Sequence, residues 1–190
     1  MARTKEFDPD AALDAALELF WERGYEATSM ADLVARLGIG RASLYATFGG
    51  KHDLFLRALE RYRDRADPVE SLARPGPALP AVRALLASYV AADLADRRGC
   101  MVVNTAVELA PRDAAAARRV AAAWDGLEAA LAAALVRARA QGEIPADRDP
   151  RALARFLLVV AQGLRVVGRA DADPRRLWDA VEQTMAAIQD

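Results

Sequence analysis

Leu13, Ala16, Leu17 and Phe20 recur at intervals of three and four, the spacing of one face of an α-helix. Asp8 followed by Pro9 marks where that helix starts, because Asp caps free amides and Pro is tolerated in a first turn; Gly24 marks its end. A second stripe, Met30, Leu33, Val34 and Leu37, follows Ser29, which forms the pattern of a capping box with Asp32 three residues on. Gly38-Ile39-Gly40 breaks that stripe. Leu44 and Phe48, one turn apart, predict a short helix from about residue 41 to 48, stopped by Gly49-Gly50. Lys51 then opens a fourth helix with Leu54, Phe55, Ala58, Leu59 and Tyr62 as its buried side.

Prolines at 68, 75, 77 and 80 interrupt the helical pattern by removing amide donors and restricting the residues before them. This stretch predicts a domain boundary, with a first domain at 1–66, a linker at 67–80 and a second domain at 81–190. In the second domain, helical patterns run over about 81–96, 100–110, 113–141, 150–168 and 174–189, punctuated by Pro111, Gly142 with Pro145, and Pro174. The expectation is an all-α chain of about nine helices with no internal repeat. Alanine supplies much of the 54% hydrophobic content, and Ala, Leu and Arg all favour helices.

Charge and rare residues narrow the function. A formal net charge of -1 excludes a polycation that coats nucleic acid, so any DNA contact must come from a local basic face. Cys100 is the single cysteine and cannot form an internal disulfide. No uncharged run exceeds Gly99–Val107, far short of the roughly 20 residues that span a bilayer, and nothing at the N-terminus resembles a signal peptide. A soluble, cytoplasmic protein with no membrane partner is expected. With one histidine, His52, and one cysteine, multi-His and Cys-rich metal sites are excluded. Ser29 and Ser43 belong to the short helices, and Ser71 and Ser88 lack the glycines of a nucleophile elbow. Gly38-x-Gly40-x-x-Ser43 lacks a third glycine and follows a helix rather than a strand, so it is not a dinucleotide loop. The reading is therefore not an enzyme, with no catalytic residue, metal or cofactor.

Two short helices joined by a glycine turn cannot bury enough surface alone. The helices before and after them must complete a small core around Leu17, Phe20, Leu33, Leu37, Leu44 and Phe48. This helix-turn-helix leaves one face of the third helix free, carrying Arg41, Ala42, Ser43, Tyr45, Ala46 and Thr47, with small residues for close approach and polar ones for contact. Such a helix suits the major groove of double-stranded DNA, where base pairs are distinguishable. Lys51, with the first amides of the fourth helix, would meet a phosphate, and the Arg3-Thr4-Lys5 arm would reach the backbone or minor groove.

The run from Thr28-Ser29-Met30 through Leu44-Tyr45-Ala46-Thr47-Phe48-Gly49-Gly50-Lys51 closely resembles the TetR family of bacterial repressors, over residues 8 to about 63. The resemblance implies that Thr28, Tyr45 and Lys51 lie against phosphates and that Arg41, Ala42, Ala46 and Thr47 lie over the groove, with Arg41 the best base reader. Ala46-Thr47 replaces the bulkier or basic residues of many relatives, so shape readout would carry more of the specificity.

The resemblance also implies a homodimer formed by the last two helices as a four-helix bundle, and an imperfectly palindromic operator. Stripes in this sequence support the bundle. Leu177, Val181, Met185 and Ile188 fall near one face of the last helix, and Leu157 and Leu164, with Leu153, Phe156, Val160 and Val167, stripe the one before; an internal core is the competing use. For a small-molecule effector, Cys100, Asn104 and Glu108 are four apart on one helix face of an apolar stretch. This Gly-Cys-x-x-x-Asn-x-x-x-Glu segment is similar to one subgroup of TetR-type ligand domains, some of which sense electrophilic or unsaturated molecules. Tyr89, Trp124, Leu127 and Phe156 are further candidates for the cavity lining, with core packing as the alternative. The competing function is a DNA-binding regulator or architectural protein with a filled core and no ligand.

Overall fold

The computed structural model describes residues 7–65, 68–170 and 173–189. Among them are ten helices and no strand: α1 (Pro9–Arg23), α2 (Met30–Leu37), α3 (Arg41–Phe48), α4 (Lys51–Asp64), α5 (Pro68–Ala73), α6 (Ala78–Ala95), α7 (Met101–Glu108), α8 (Ala114–Ala140), α9 (Pro150–Ala170) and α10 (Pro174–Gln189). The described residues form two compact units. One runs through residue 65 and takes in Asn104–Arg119; the other runs from 68 through Val103 and resumes at Val120. A continuous domain over 81–190 is thereby corrected, since residues 104–119 pack with the N-terminal helices.

In the first unit, local signals set the helix ends. Asp8 accepts from Asp10 N at the start of α1. Ser29 and Asp32 close a reciprocal capping box on α2, which satisfies two otherwise orphan amides and holds the Asp32 carboxyl below its usual range. Gly38 ends α2 in the left-handed conformation at φ 65°, open to glycine without strain. Ser29→Ala is expected to cost about 1 kcal/mol and to lower the thermal midpoint by a few degrees in a circular dichroism melt.

The core of this unit is α1 laid on α4, with α2 and α3 closing one end. Leu17, Phe20, Leu33, Leu44 and Phe48 are buried, whereas Leu37 and Tyr62 are only half-buried. Phe20 and Phe55 meet edge to face at 5.1 Å. On the outside, Arg61 takes both oxygens of Asp14, and Arg65 reaches Asp14 and Glu18, stitching α4 to α1. Arg61 first, and then Arg65, hold the Asp14 carboxyl below its ordinary value.

The second unit surrounds α6, which packs on α5, α9 and α10. The segment expected as a linker, 67–80, instead contains α5, whose Leu72 is buried in the core, and the first turn of α6. Proline did not prevent this, because Pro80 sits in a first turn, where the missing N–H has no helical acceptor to lose. The amides of Ala78 and Leu79 donate to the Glu143 carboxylate at 2.8 and 2.9 Å, capping α6 from a distant loop. By length and composition alone α6 would cross a membrane; here Leu79, Val82, Leu85, Leu86 and Val90 pack into the unit's core.

Candidate nucleic-acid interface

Helix α3 has two faces of opposite character. Leu44 and Phe48 are fully enclosed, while Arg41, Ala42, Ser43, Tyr45 and Ala46 are exposed and Thr47 is half-buried. Tyr45 keeps 45% of its surface open. The Arg41 guanidinium lies 5.9 Å from the Tyr45 ring centre, so the two side chains lie along one edge of the helix. The N-cap residues of α3 and α4 are Gly40 and Gly50, neither of which has a side chain to cap the first amides. The first turns of both helices, which begin at Arg41 and Lys51, therefore lack an N-cap side chain over their free amides, an arrangement suited to phosphate oxygens.

Lys51 is held rather than loose. Its Nζ sits 4.2 Å from the centre of the Tyr25 ring, which itself packs on Phe20, Phe55 and His52. The Tyr25 phenol is pushed above its usual range, chiefly by burial and then by Glu26 and Asp113. Sequence reasoning missed Tyr25 because its ring contacts come from two other elements, Phe20 of α1 and Lys51, His52 and Phe55 of α4.

Thr28 requires a correction. It is fully buried and its hydroxyl donates to Gly24 O at 2.7 Å, so its side chain pins the turn between α1 and α2 instead of facing a phosphate. Arg3 and Lys5 lie outside the described residues.

Glu108 also differs from its expected place on a ligand-binding face. Its Oε2 accepts from Tyr25 N at 3.1 Å and its Oε1 from Glu26 N at 2.8 Å, both in the α1–α2 turn. Around it, Arg112 pairs with Glu26, Arg119 with Glu60, and His52 Nε2 lies 2.6 Å from Asp113 Oδ2. The Asp113 carboxyl is held low, first by the Ala116 amide it caps and then by His52.

In the second unit, the other ligand candidates divide. Leu127 is buried in the hydrophobic core and Tyr89 packs against it. Phe156 is 42% exposed, so it lines no interior cavity. Cys100 is half-buried, and Asn104, four residues on, belongs with the first unit. Trp124 Nε1 is enclosed and has no acceptor among the described residues. Sequence reasoning did not name Asp93 and Arg165, which form a buried ion pair at 3.0 Å with side chains 2% and 9% exposed. Arg165 also donates to Tyr89 O and lies 5.1 Å from the Tyr89 ring centre. Burial pushes the Asp93 carboxyl up to about 6, although Arg165 opposes the shift, and burial with the neighbouring Cys100 pushes the Tyr89 phenol up to about 12. Asp93 is the single acidic residue of α6, which was the available signal; Arg165 is one of four arginines in α9 and its sequence alone does not set it apart. Among the described residues, no three His, Cys, Asp or Glu side chains gather as metal ligands.

The six residues expected at a dimer interface are a further correction. Leu157, Leu164, Leu177, Val181, Met185 and Ile188 all lie in the unit's own hydrophobic core. The open apolar face of α9 is instead Phe156, Val159 and Val166, exposed at 42, 71 and 49%, with Gly163 exposed between them.

Comparison with known proteins places both parts. Residues 12–58 match the family described as bacterial regulatory proteins, tetR family, and residues 78–184 match the tetracyclin repressor-like C-terminal domain. An uncharacterized HTH-type transcriptional regulator of Bacillus subtilis, YezE, is 39% identical over 99% of this chain and 100% of its own. The HTH-type transcriptional repressor ComR of Escherichia coli is 36% identical, over 96% of this chain and 90% of its own. Among solved structures, a cysteine mutant of the TetR family regulator CifR, complexed with 26-bp double-strand operator DNA, superposes with a TM-score of 0.86. It shares 34% identity and covers 97% of this chain and 99% of its own. The helix-turn-helix with its two-faced α3, the helical second unit and these full-length likenesses agree: the chain belongs to the TetR family of bacterial transcriptional regulators.

Proposed function

We propose that this protein is a cytoplasmic transcriptional repressor that occupies a palindromic operator as a homodimer and leaves it when a small molecule binds the second unit. The observation that carries the DNA-binding part is the two-faced α3, with Leu44 and Phe48 anchoring it and Arg41, Ala42, Ser43, Tyr45 and Ala46 left open. The operator complex of CifR and the repressor name of ComR support the same reading. Arg41 reads a base, Tyr45 and Lys51 hold phosphates, and Ala42, Ser43, Ala46 and Thr47 allow the helix to lie close in the groove. The dimer forms through the open apolar face of α9, a self-complementary patch in a two-fold assembly.

A ligand is favoured over a filled, unresponsive core by Trp124, whose enclosed indole N–H lacks an acceptor that a bound molecule would supply. Cys100 lies beside the Tyr89–Arg165 cluster, where an electrophile or an acceptor-bearing effector would meet both thiol and phenol. The Gly-Cys subgroup likeness rests on Gly99-Cys100 and no longer on Glu108, whose carboxylate is already engaged.

The test is fluorescence anisotropy with a duplex enriched by the wild-type protein from a random-sequence pool. Arg41→Ala is expected to weaken binding by about tenfold to a hundredfold and to relax selectivity at one base position. Wild-type affinity in folded Arg41→Ala and Lys51→Ala proteins would overturn the assignment. A metabolite panel scored by thermal shift and DNA release tests the effector: the expected hit raises the midpoint and frees the duplex, and Cys100→Ser abolishes the response if the thiol is the sensor.

A further inference from the structure

We propose that Glu108 is a positioning residue for DNA binding, acting on Lys51 through Tyr25. This rests on the reading above, in which Lys51 meets a phosphate. Glu108 ends α7, well outside the helix-turn-helix in sequence, yet both its oxygens are spent on successive amides of the α1–α2 turn, Tyr25 N at 3.1 Å and Glu26 N at 2.8 Å. A carboxylate accepts two amides with charge assistance; an amide side chain accepts one and sets its own N–H₂ against the other.

The turn is shaped to admit that carboxylate. Gly24 stands at φ 86°, and a Cβ there would lie 2.7 and 2.9 Å from the two Glu108 oxygens, so the absence of a side chain opens the seat. Tyr25, the next residue, is therefore gripped at its backbone by Glu108 and at its ring by Phe55 at 5.1 Å, Phe20 at 6.4 Å and His52 at 6.3 Å. The Lys51 ammonium lies over this ring, 4.2 Å from its centre. A lysine has four rotatable side-chain bonds and ordinarily sweeps a wide volume; a fixed ring face under the ammonium selects one direction, beside the uncapped amides of α4. Loss of the Glu108 grip frees the Tyr25 backbone, tilts the ring and releases Lys51.

The experiment compares wild type, Glu108→Gln, Lys51→Ala and the double variant across a potassium chloride series, with the enriched duplex as probe. It also records the Lys51 ε-methylene proton shifts of the free protein by NMR. In the wild type those protons are displaced upfield by the Tyr25 ring. In Glu108→Gln the displacement collapses, affinity falls about tenfold, and the slope of log affinity against log salt shrinks by about 2, one phosphate contact in each half-site. Lys51→Ala gives the same slope, and the double variant binds no more weakly than Lys51→Ala. Glu108→Asp, too short to reach both amides, falls between and provides a second folded variant. An unchanged Lys51 shift in Glu108→Gln, a wild-type salt slope, or additive losses in the double variant would overturn the proposal. Should the wild-type protein enrich no duplex, the operator-binding reading fails, and the Lys51 shift alone decides whether Glu108 positions it.

Discussion

Val159→Glu is expected to turn a dimer into a monomer and to weaken operator binding by at least about a hundredfold. Val159 is 71% exposed on α9, between Phe156 and Val166, with Gly163 one turn on allowing a second helix to approach closely. In a two-fold interface each substitution appears twice, so two carboxylates would be desolvated without partners, at a cost of roughly 3 kcal/mol or more. Sedimentation velocity reads the mass and anisotropy reads the DNA. Leu157→Ala is the informative contrast, since Leu157 is enclosed in the unit's own core. It should lose about 2–5 kcal/mol of stability and still sediment as a dimer at low temperature. A dimeric Val159→Glu protein would move the interface elsewhere.

Arg165→Met should destabilise the second unit by about 3–5 kcal/mol at pH 8, because it strands Asp93 as a buried charge while preserving most of the packed volume. The pH dependence separates this from a packing defect. With its folded-state carboxyl pushed up to about 6, above the ordinary 3.8, Asp93 binds its proton more readily in the folded protein than in the unfolded chain. Its burial therefore costs stability above about pH 6, and that cost is relieved as the pH falls from about 6 towards 4. Without Arg165, which lowers it, the carboxyl rises further, and acidification to pH 5 should recover most of the loss. Chemical denaturation at pH 8 and pH 5 is the check; equal losses at both would show that Arg165 matters only for packing. Asp14, Asp32, Asp96 and Asp113, all held below the ordinary value, act in the opposite sense, and their stabilising share is lost only as the pH falls through their lowered values.

The helix ends of the first unit were legible because their causes are local. Asp8, Ser29 with Asp32, Gly38 and the Gly49-Gly50 pair each act within a few residues of where they stand. Glu108 was not legible, since its partners lie 82 and 83 residues away and nothing in its own helix reveals them. Thr28 was misplaced because a hydroxyl beside a helix start serves a phosphate or its own backbone equally well, and here it bonds Gly24 O. The dimer stripe failed for a different reason. Periodicity shows that a helix face is apolar without showing whose side chains cover it, and α9 is apolar on two sides, Leu157 and Leu164 inward and Phe156, Val159 and Val166 outward. α5 was hidden by prolines that flank a helix as readily as they break one.

The first unit is assembled from two stretches of chain, one ending at residue 65 and one beginning at Asn104. During synthesis its N-terminal helices leave the ribosome well before Glu108, Arg112, Asp113 and Arg119 are made, so the α1–α2 turn waits for its carboxylate seat until about residue 119 has emerged. A fragment cut at residue 65 would therefore keep the recognition helix but not its restraints, and a minimal DNA-binding module from this chain would have to carry residues 104–119 on a grafted loop.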